Sequence, residues 1–83
     1  MQVTVRYFAS IREAVGTGCE PWQTDASDLA ALRDDLIGRG PAYAAALARG
    51  RAVRIAMNHV MCQESCALVE GAEVAFFPPV TGG

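Results

Sequence analysis

Lysine is absent: all seven basic side chains are Arg, set against nine acidic ones for a net charge of −2. Without a side-chain amine, the N-terminus is the only amine left for a Schiff base. Without a basic cluster there is little to grip a nucleic-acid backbone or an anionic bilayer surface. Long apolar runs are missing too; stretches such as 42–48 fall far short of the ~20 residues that a bilayer crossing needs. The opening Met1-Gln2-Val3-Thr4-Val5-Arg6 lacks the charged region and apolar stretch of an export signal. Cysteine is scarce and odd in number (Cys19, Cys62, Cys66), so no disulfide framework is expected. Reduced thiols in a cytoplasm are the expected setting. No Ser-His-Asp set, glycine-rich phosphate loop or paired-carboxylate arrangement is visible. What remains is 83 residues, 52% hydrophobic and 19% charged, which is the balance of one small globular domain. A chain of this length hides only about 60–65% of its unfolded surface and has little room for a deep catalytic cavity.

The pattern along the chain is that of an α+β roll. Val3, Val5 and Tyr7 alternate with Thr4, Arg6 and Phe8, the period of a half-buried strand. Ser10 is placed to cap a short helix over Ile11–Val15 that Gly16 stops. Cys19 to Thr24 reads as a second strand, confined to a sheet edge by Pro21. The main helix is expected from Asp28 to Ile37, capped by Ser27, with Leu29, Leu32 and Leu36 on its buried face. Asp34 and Asp35 fall on the opposite, solvated flank. Pro41 opens a second helical run that ends by Gly50. Val53, Ile55 and Met57 then alternate, Asn58-His59 forms a two-residue turn, and Val60-Met61-Cys62 returns. After a turn at Glu70-Gly71, Ala72 to Phe77 makes the last strand. One main helix on one face of a small mixed sheet is the β-grasp arrangement, in a single domain spanning residues 1–83.

The ending Phe76-Phe77-Pro78-Pro79-Val80-Thr81-Gly82-Gly83 carries the chemistry. Two prolines fix φ and favour an extended tail over 78–83, expected to be flexible and able to reach roughly 20 Å. Thr81 and Gly82 lead to Gly83, and a glycine pair can thread a narrow channel because it has no Cβ. A free carboxylate at Gly83 can be activated as an acyl-adenylate and then take a nucleophile. On a β-grasp pattern this ending resembles the small subunit of molybdopterin synthase, the MoaD family of ubiquitin-like sulfur carriers. Tyr7-Phe8-Ala9, Arg12-Glu13 with Gly16, Ala56-Met57-Asn58 and the run from Gly71 to Gly83 carry the likeness. The resemblance implies adenylation of Gly83 by an E1-like enzyme of the MoeB type and conversion to a thiocarboxylate with sulfur from a donor protein. It further implies transfer of that sulfur to a pterin precursor in a large subunit of the MoaE type. No cofactor of its own is implied, and the chain is a substrate and subunit rather than a catalyst. A carrier for thiamine thiazole formation would share the glycine ending, though Phe-Phe-Pro-Pro disfavours it. A plain binding module that happens to end in glycines would share it too.

Alternation adds a docking surface. If Val3, Val5 and Tyr7 face the helix, Phe8 faces away; if Val74 and Phe76 are core, Phe77 points out. Across an Asn58-His59 turn Met57 pairs with Val60 and Ala56 with Met61, so Met61 shares that outer face. Phe8, Met61 and Phe77 then make one exposed apolar patch beside the tail. A one-residue slip in register would return all three to the core. Cys62 and Cys66, with Cys19 and His59, offer a competing redox or metal reading, but their spacing fits neither zinc pairs nor a ferredoxin run.

Overall fold

In the computed structural model, which describes residues 1–79, alternation along β1 (Gln2–Tyr7) buries Val3, Val5 and Tyr7 almost completely. Ala9 takes φ 51°, and this kink turns the chain from β1 directly into α1 (Ala9–Val15). Ser10 is therefore inside the helix and does not cap it. Phe8 holds the cap position with no side-chain hydrogen bond. Gly16 closes α1 as expected, at φ 85°, a left-handed conformation that glycine adopts without steric cost.

The edge strand β2 (Cys19–Gln23) pairs antiparallel with β1, and its outer side accommodates Pro21. The main helix α2 (Leu29–Ile37) starts one residue later than the sequence suggests. Asp28, not Ser27, caps it: the carboxylate accepts the Ala31 N–H at 2.8 Å, while the Ser27 carbonyl accepts the Leu68 N–H. Leu29, Leu32 and Leu36 are fully buried. Pro41 opens α3 (Pro41–Leu47), which ends at Ala48, ahead of Gly50.

The last three strands are β3 (Arg54–Met57), β4 (Val60–Cys62) and β5 (Glu73–Phe77). Asn58 and His59 connect β3 to β4 with φ of 51° and 70°, the two positive values of a type I′ hairpin turn. That turn fixes the register, with Met57 opposite Val60 and Ala56 opposite Met61. The sheet order is β2-β1-β5-β3-β4, with β1 and β5 parallel at its centre and the other pairs antiparallel. Val74 and Phe76 of β5 complete the core between sheet and helices. This is the β-grasp fold.

Charge enters the packing where the sequence showed only apolar periodicity. Arg33 is 3% exposed. Its guanidinium donates to the carbonyls of Leu47, Ala48 and Arg51 and pairs with Glu64 at 3.1 Å. Four contacts from one side chain thus tie α2 to the end of α3 and to the segment after β4. Asp35 is not merely a solvated residue either, since it accepts hydrogen bonds from Trp22 Nε1 and Thr24 Oγ1 at 2.9 and 2.7 Å.

Candidate functional site

The sheet has one face covered by helices and one that they leave open. On the open face β5 contributes Glu73, Ala75 and Phe77, flanked by Arg6 of β1 and by Arg54 and Ala56 of β3. Because β5 lies between β1 and β3, the chain leaves the sheet at its centre, through Phe77, Pro78 and Pro79.

Phe8 and Phe77 meet at this exit. The Phe8 N–H donates to the Phe76 carbonyl at 3.1 Å, which sets Phe8 beside the end of β5. Their rings pack edge to face with centroids 6.4 Å apart. Phe8 remains 40% exposed and Phe77 half-buried. Met61, 53% exposed, lies on the same face two strands away, and Ala56 and Ala75 form the floor between. The apolar strip is therefore continuous in register but shallow at its middle, where the side chains are only methyl groups.

Charged groups rim the strip. The Arg6 guanidinium stacks over the Phe8 ring at 5.3 Å and reaches Glu73 at 3.4 Å. His59, at the tip of the hairpin, approaches the same Glu73 oxygen at 3.5 Å. Arg54 stands opposite Phe77. Apolar surface edged by arginine is the composition of a protein interface. A recess of about 160 Å³ beside Pro78, lined in part by Ser10, Ile11, Ala14 and Arg51, has no acidic, thiol or imidazole group among the described residues that line it.

Thr81, Gly82 and Gly83 lie outside the described residues, as does the tail beyond Pro79. The ThiS family pattern matches residues 5–83.

The chain belongs to the ThiS family.

Two relatives, each named molybdopterin synthase sulfur carrier subunit, match it over 81 residues. The Escherichia coli protein is 38% identical and the Haemophilus influenzae protein 36%, each match covering 98% of this chain and 99% of the relative. A solved protein–protein complex of subunits 1 and 2 of molybdopterin-converting factor from Helicobacter pylori contains a chain 30% identical to this one. That match covers both chains fully, with a TM-score of 0.66. The resemblance to molybdopterin synthase small subunits therefore holds over nearly the whole sequence.

In this ThiS-family chain the cysteine and histidine constellation is split. Cys19 sits on edge strand β2, Cys62 ends β4 at the opposite edge with Cys66 in the turn that follows, and His59 lies at the hairpin tip. Among the described residues no group of three or more His, Cys, Asp and Glu is placed to hold a metal ion. No helix among them is long and apolar enough to cross a membrane.

On the helix side, sequence reasoning missed a polar knot around Glu20. Its carboxylate accepts from Tyr7 Oη at 2.7 Å and Tyr43 Oη at 3.1 Å, and it pairs with Arg39. The Arg39 guanidinium stacks on Trp22 and Tyr43, 4.2 Å from each ring centroid. Burial pushes the Glu20 carboxyl up, but hydrogen bonds from Tyr7, Arg39 and Tyr43 outweigh it and hold the group below the usual carboxylate range. Burial, reinforced by the Glu20 carboxylate, pushes the Tyr7 hydroxyl well above its ordinary value. The knot joins β1, β2, the α2–α3 connection and α3. Alternation had placed Tyr7 in the core. Nothing local to Glu20, Arg39 or Tyr43 signals that they converge on it.

Proposed function

We propose that this chain is the sulfur carrier subunit of a molybdopterin synthase, with the carboxylate of Gly83 as its reactive group. An E1-like adenylating enzyme of the MoeB type joins that carboxylate to AMP. A sulfur donor protein then supplies the sulfur that displaces AMP and leaves a thiocarboxylate. In the large subunit, of the MoaE type, the thiocarboxylate sulfur passes to the pterin precursor. The chain acts as substrate and subunit, and the transferase chemistry belongs to the partner's active site. Its work is assigned to the cytoplasm, in keeping with three free thiols.

The observation that carries this proposal is the position of the exit. β5 runs through the middle of the sheet and ends at Phe77-Pro78-Pro79, beside the Phe8–Phe77 pair. A partner that docks on Phe8, Met61 and Phe77 would receive the four residues after Pro79 directly into its own interior. Proline at 78 and 79 restricts the direction in which they leave. Thr81 and Gly82 are the threading residues, since small side chains pass a narrow entry.

Removal of Gly82 and Gly83 tests the assignment. In a reconstituted system with adenylating enzyme, sulfur donor and large subunit, the shortened protein should keep its melting temperature and form no thiocarboxylate. Sulfur transfer to the pterin by the shortened protein would refute it.

A further inference from the structure

Cys62 and Cys66 take no part in the proposed sulfur chemistry, yet the fold sets them on either side of one turn and against the same core. Cys62 ends β4, paired with Ile55, and a turn closed by the Cys66 N–H to the Gln63 carbonyl at 3.0 Å folds the next four residues back. Both side chains are half-buried against the edge of the same hydrophobic core. Burial raises the Cys62 thiol, and hydrogen bonding and charge from Cys66 raise it further, as expected of neighbouring sulfurs.

The backbone on each side of the turn is anchored independently. Cys62 is held by the β3–β4 ladder. On the other side the Cys66 carbonyl accepts the Leu29 N–H at 3.1 Å, the Glu64 carbonyl accepts the Ala30 N–H at 2.9 Å, and Ala67 bridges to Asp28. The pair is thus held in register by elements that do not depend on the thiols. Cys19 is exposed on β2, at the far edge of the sheet, and cannot reach either of them within one chain.

We propose that Cys62 and Cys66 are a redox modification site that closes as a reversible intramolecular disulfide by exchange with a small-molecule disulfide of the glutathione class. One protein thiolate attacks a sulfur of the glutathione disulfide, forming a mixed disulfide and releasing one glutathione thiol. The second thiolate attacks the protein sulfur of that intermediate, forms the Cys62–Cys66 bond and releases the second glutathione thiol. Two electrons pass from the cysteines to glutathione, and the two cysteine protons end on the released thiols. Half-burial of both thiols disfavours a bond to a thiol on another folded protein. Closure ties the edge strand that carries Met61 to the segment lying against α2, and adds a short covalent loop to the folded state.

The test uses the full chain with Cys19→Ser, which removes the exposed thiol. The protein is equilibrated with graded ratios of oxidised to reduced glutathione, free thiols are alkylated, and intact mass is read. Cys62 and Cys66 should lose reactivity together, with a mass lower by two hydrogens and no retained glutathione, and dithiothreitol should restore both. The oxidised form should melt roughly 4 °C or more above the reduced one. In the same background Cys66→Ala should instead retain one glutathione on Cys62. A stable glutathione adduct on the protein with both thiols, a covalent dimer, or an oxidised form that melts below the reduced one would overturn the proposal.

Discussion

The rings of Phe8 and Phe77 meet edge to face, 6.4 Å between centroids and 88° between planes, although one follows the first strand and the other ends the last. The contact follows from topology. β1 and β5 are parallel with Tyr7 opposite Phe76, so the next residue of each strand emerges on the open side of the sheet. Tyr7 and Phe76 are buried inside, their near-parallel rings 6.4 Å apart, while Phe8 and Phe77 pair outside. An edge-to-face pair contributes about 0.5–1.5 kcal/mol beyond area burial. Its partial exposure leaves both rings available as anchors for a partner.

Phe77→Ala should weaken binding to the large subunit by roughly tenfold or more, since aromatic anchors at an interface often carry about 2 kcal/mol. The loss of folding stability should be small, on the order of 1 kcal/mol, from the pairing with Phe8. Titration calorimetry and thermal melting, done on the same variant, separate the two effects. A stability loss of about 3–5 kcal/mol with unchanged affinity would mark Phe77 as a core residue instead. Met61→Ala should shift stability by less than about 0.5 kcal/mol while also weakening binding.

Arg33 should behave in the opposite way. Arg33→Ala leaves the carbonyls of Leu47, Ala48 and Arg51 without their donor inside the fold. A loss of about 3–5 kcal/mol in denaturant unfolding is expected, with no direct effect on docking. Arg33→Lys should recover only part of this, because one ammonium cannot reproduce a planar fork that serves three carbonyls and Glu64. Full recovery by lysine would show that charge alone matters there.

Acid should destabilise the protein through Glu20. Its carboxyl is held below the usual range in the folded state, so the unfolded chain binds the proton more tightly. The stabilisation is present above the unfolded carboxylate pKa of about 4.3 and is lost as pH falls through the lower folded value. Glu20→Gln should flatten the melting temperature against pH below that point, and lower it at neutral pH. An unchanged acid profile in the variant would show that Glu20 does not set the acid limit.

The hairpin turn offers a gain. His59 occupies φ 70° with 78% of its side chain exposed, so it meets a backbone cost with little packing in return. His59→Gly should raise stability by up to about 1 kcal/mol, read as a higher melting temperature. Asn58 should not tolerate Ala equally well. It sits at φ 51°, and its Oδ1 accepts the Glu73 N–H at 3.0 Å.

Local rules carried much of the fold. Period-two alternation placed Val3, Val5 and Tyr7 inside and Phe8 outside, and the turn chemistry of Asn58-His59 gave the register that puts Met61 beside Ala56. Gly16 and Pro41 punctuated their helices as their backbone preferences require. Failures came where two residues competed locally or where a partner lay far along the chain. Ser27 and Asp28 are both good caps, and only the bridge from Asp28 to Ala67, with the Ser27 carbonyl bonded to Leu68, decides between them. Arg33 follows Leu32 in what looks like an ordinary amphipathic helix, and its burial depends on carbonyls at the end of α3. Asp35 finds Trp22 and Thr24 across the packing of α2 against β2, which no periodicity records. For the site, the outward direction of Phe8, Phe77 and Met61 was legible from alternation. The rim of Arg6, Glu73 and His59 was not, because it converges from three different strands and turns.

The sulfur-carrier role is tested most directly by the intact mass of the protein isolated from its own cells, with fragmentation of its C-terminal peptide. A fraction of the molecules should be heavier by the difference between one sulfur and one oxygen atom, with that difference confined to Gly83. Sulfur found only as a persulfide on Cys19, Cys62 or Cys66, or an unmodified Gly83 in cells actively making the pterin cofactor, would contradict it.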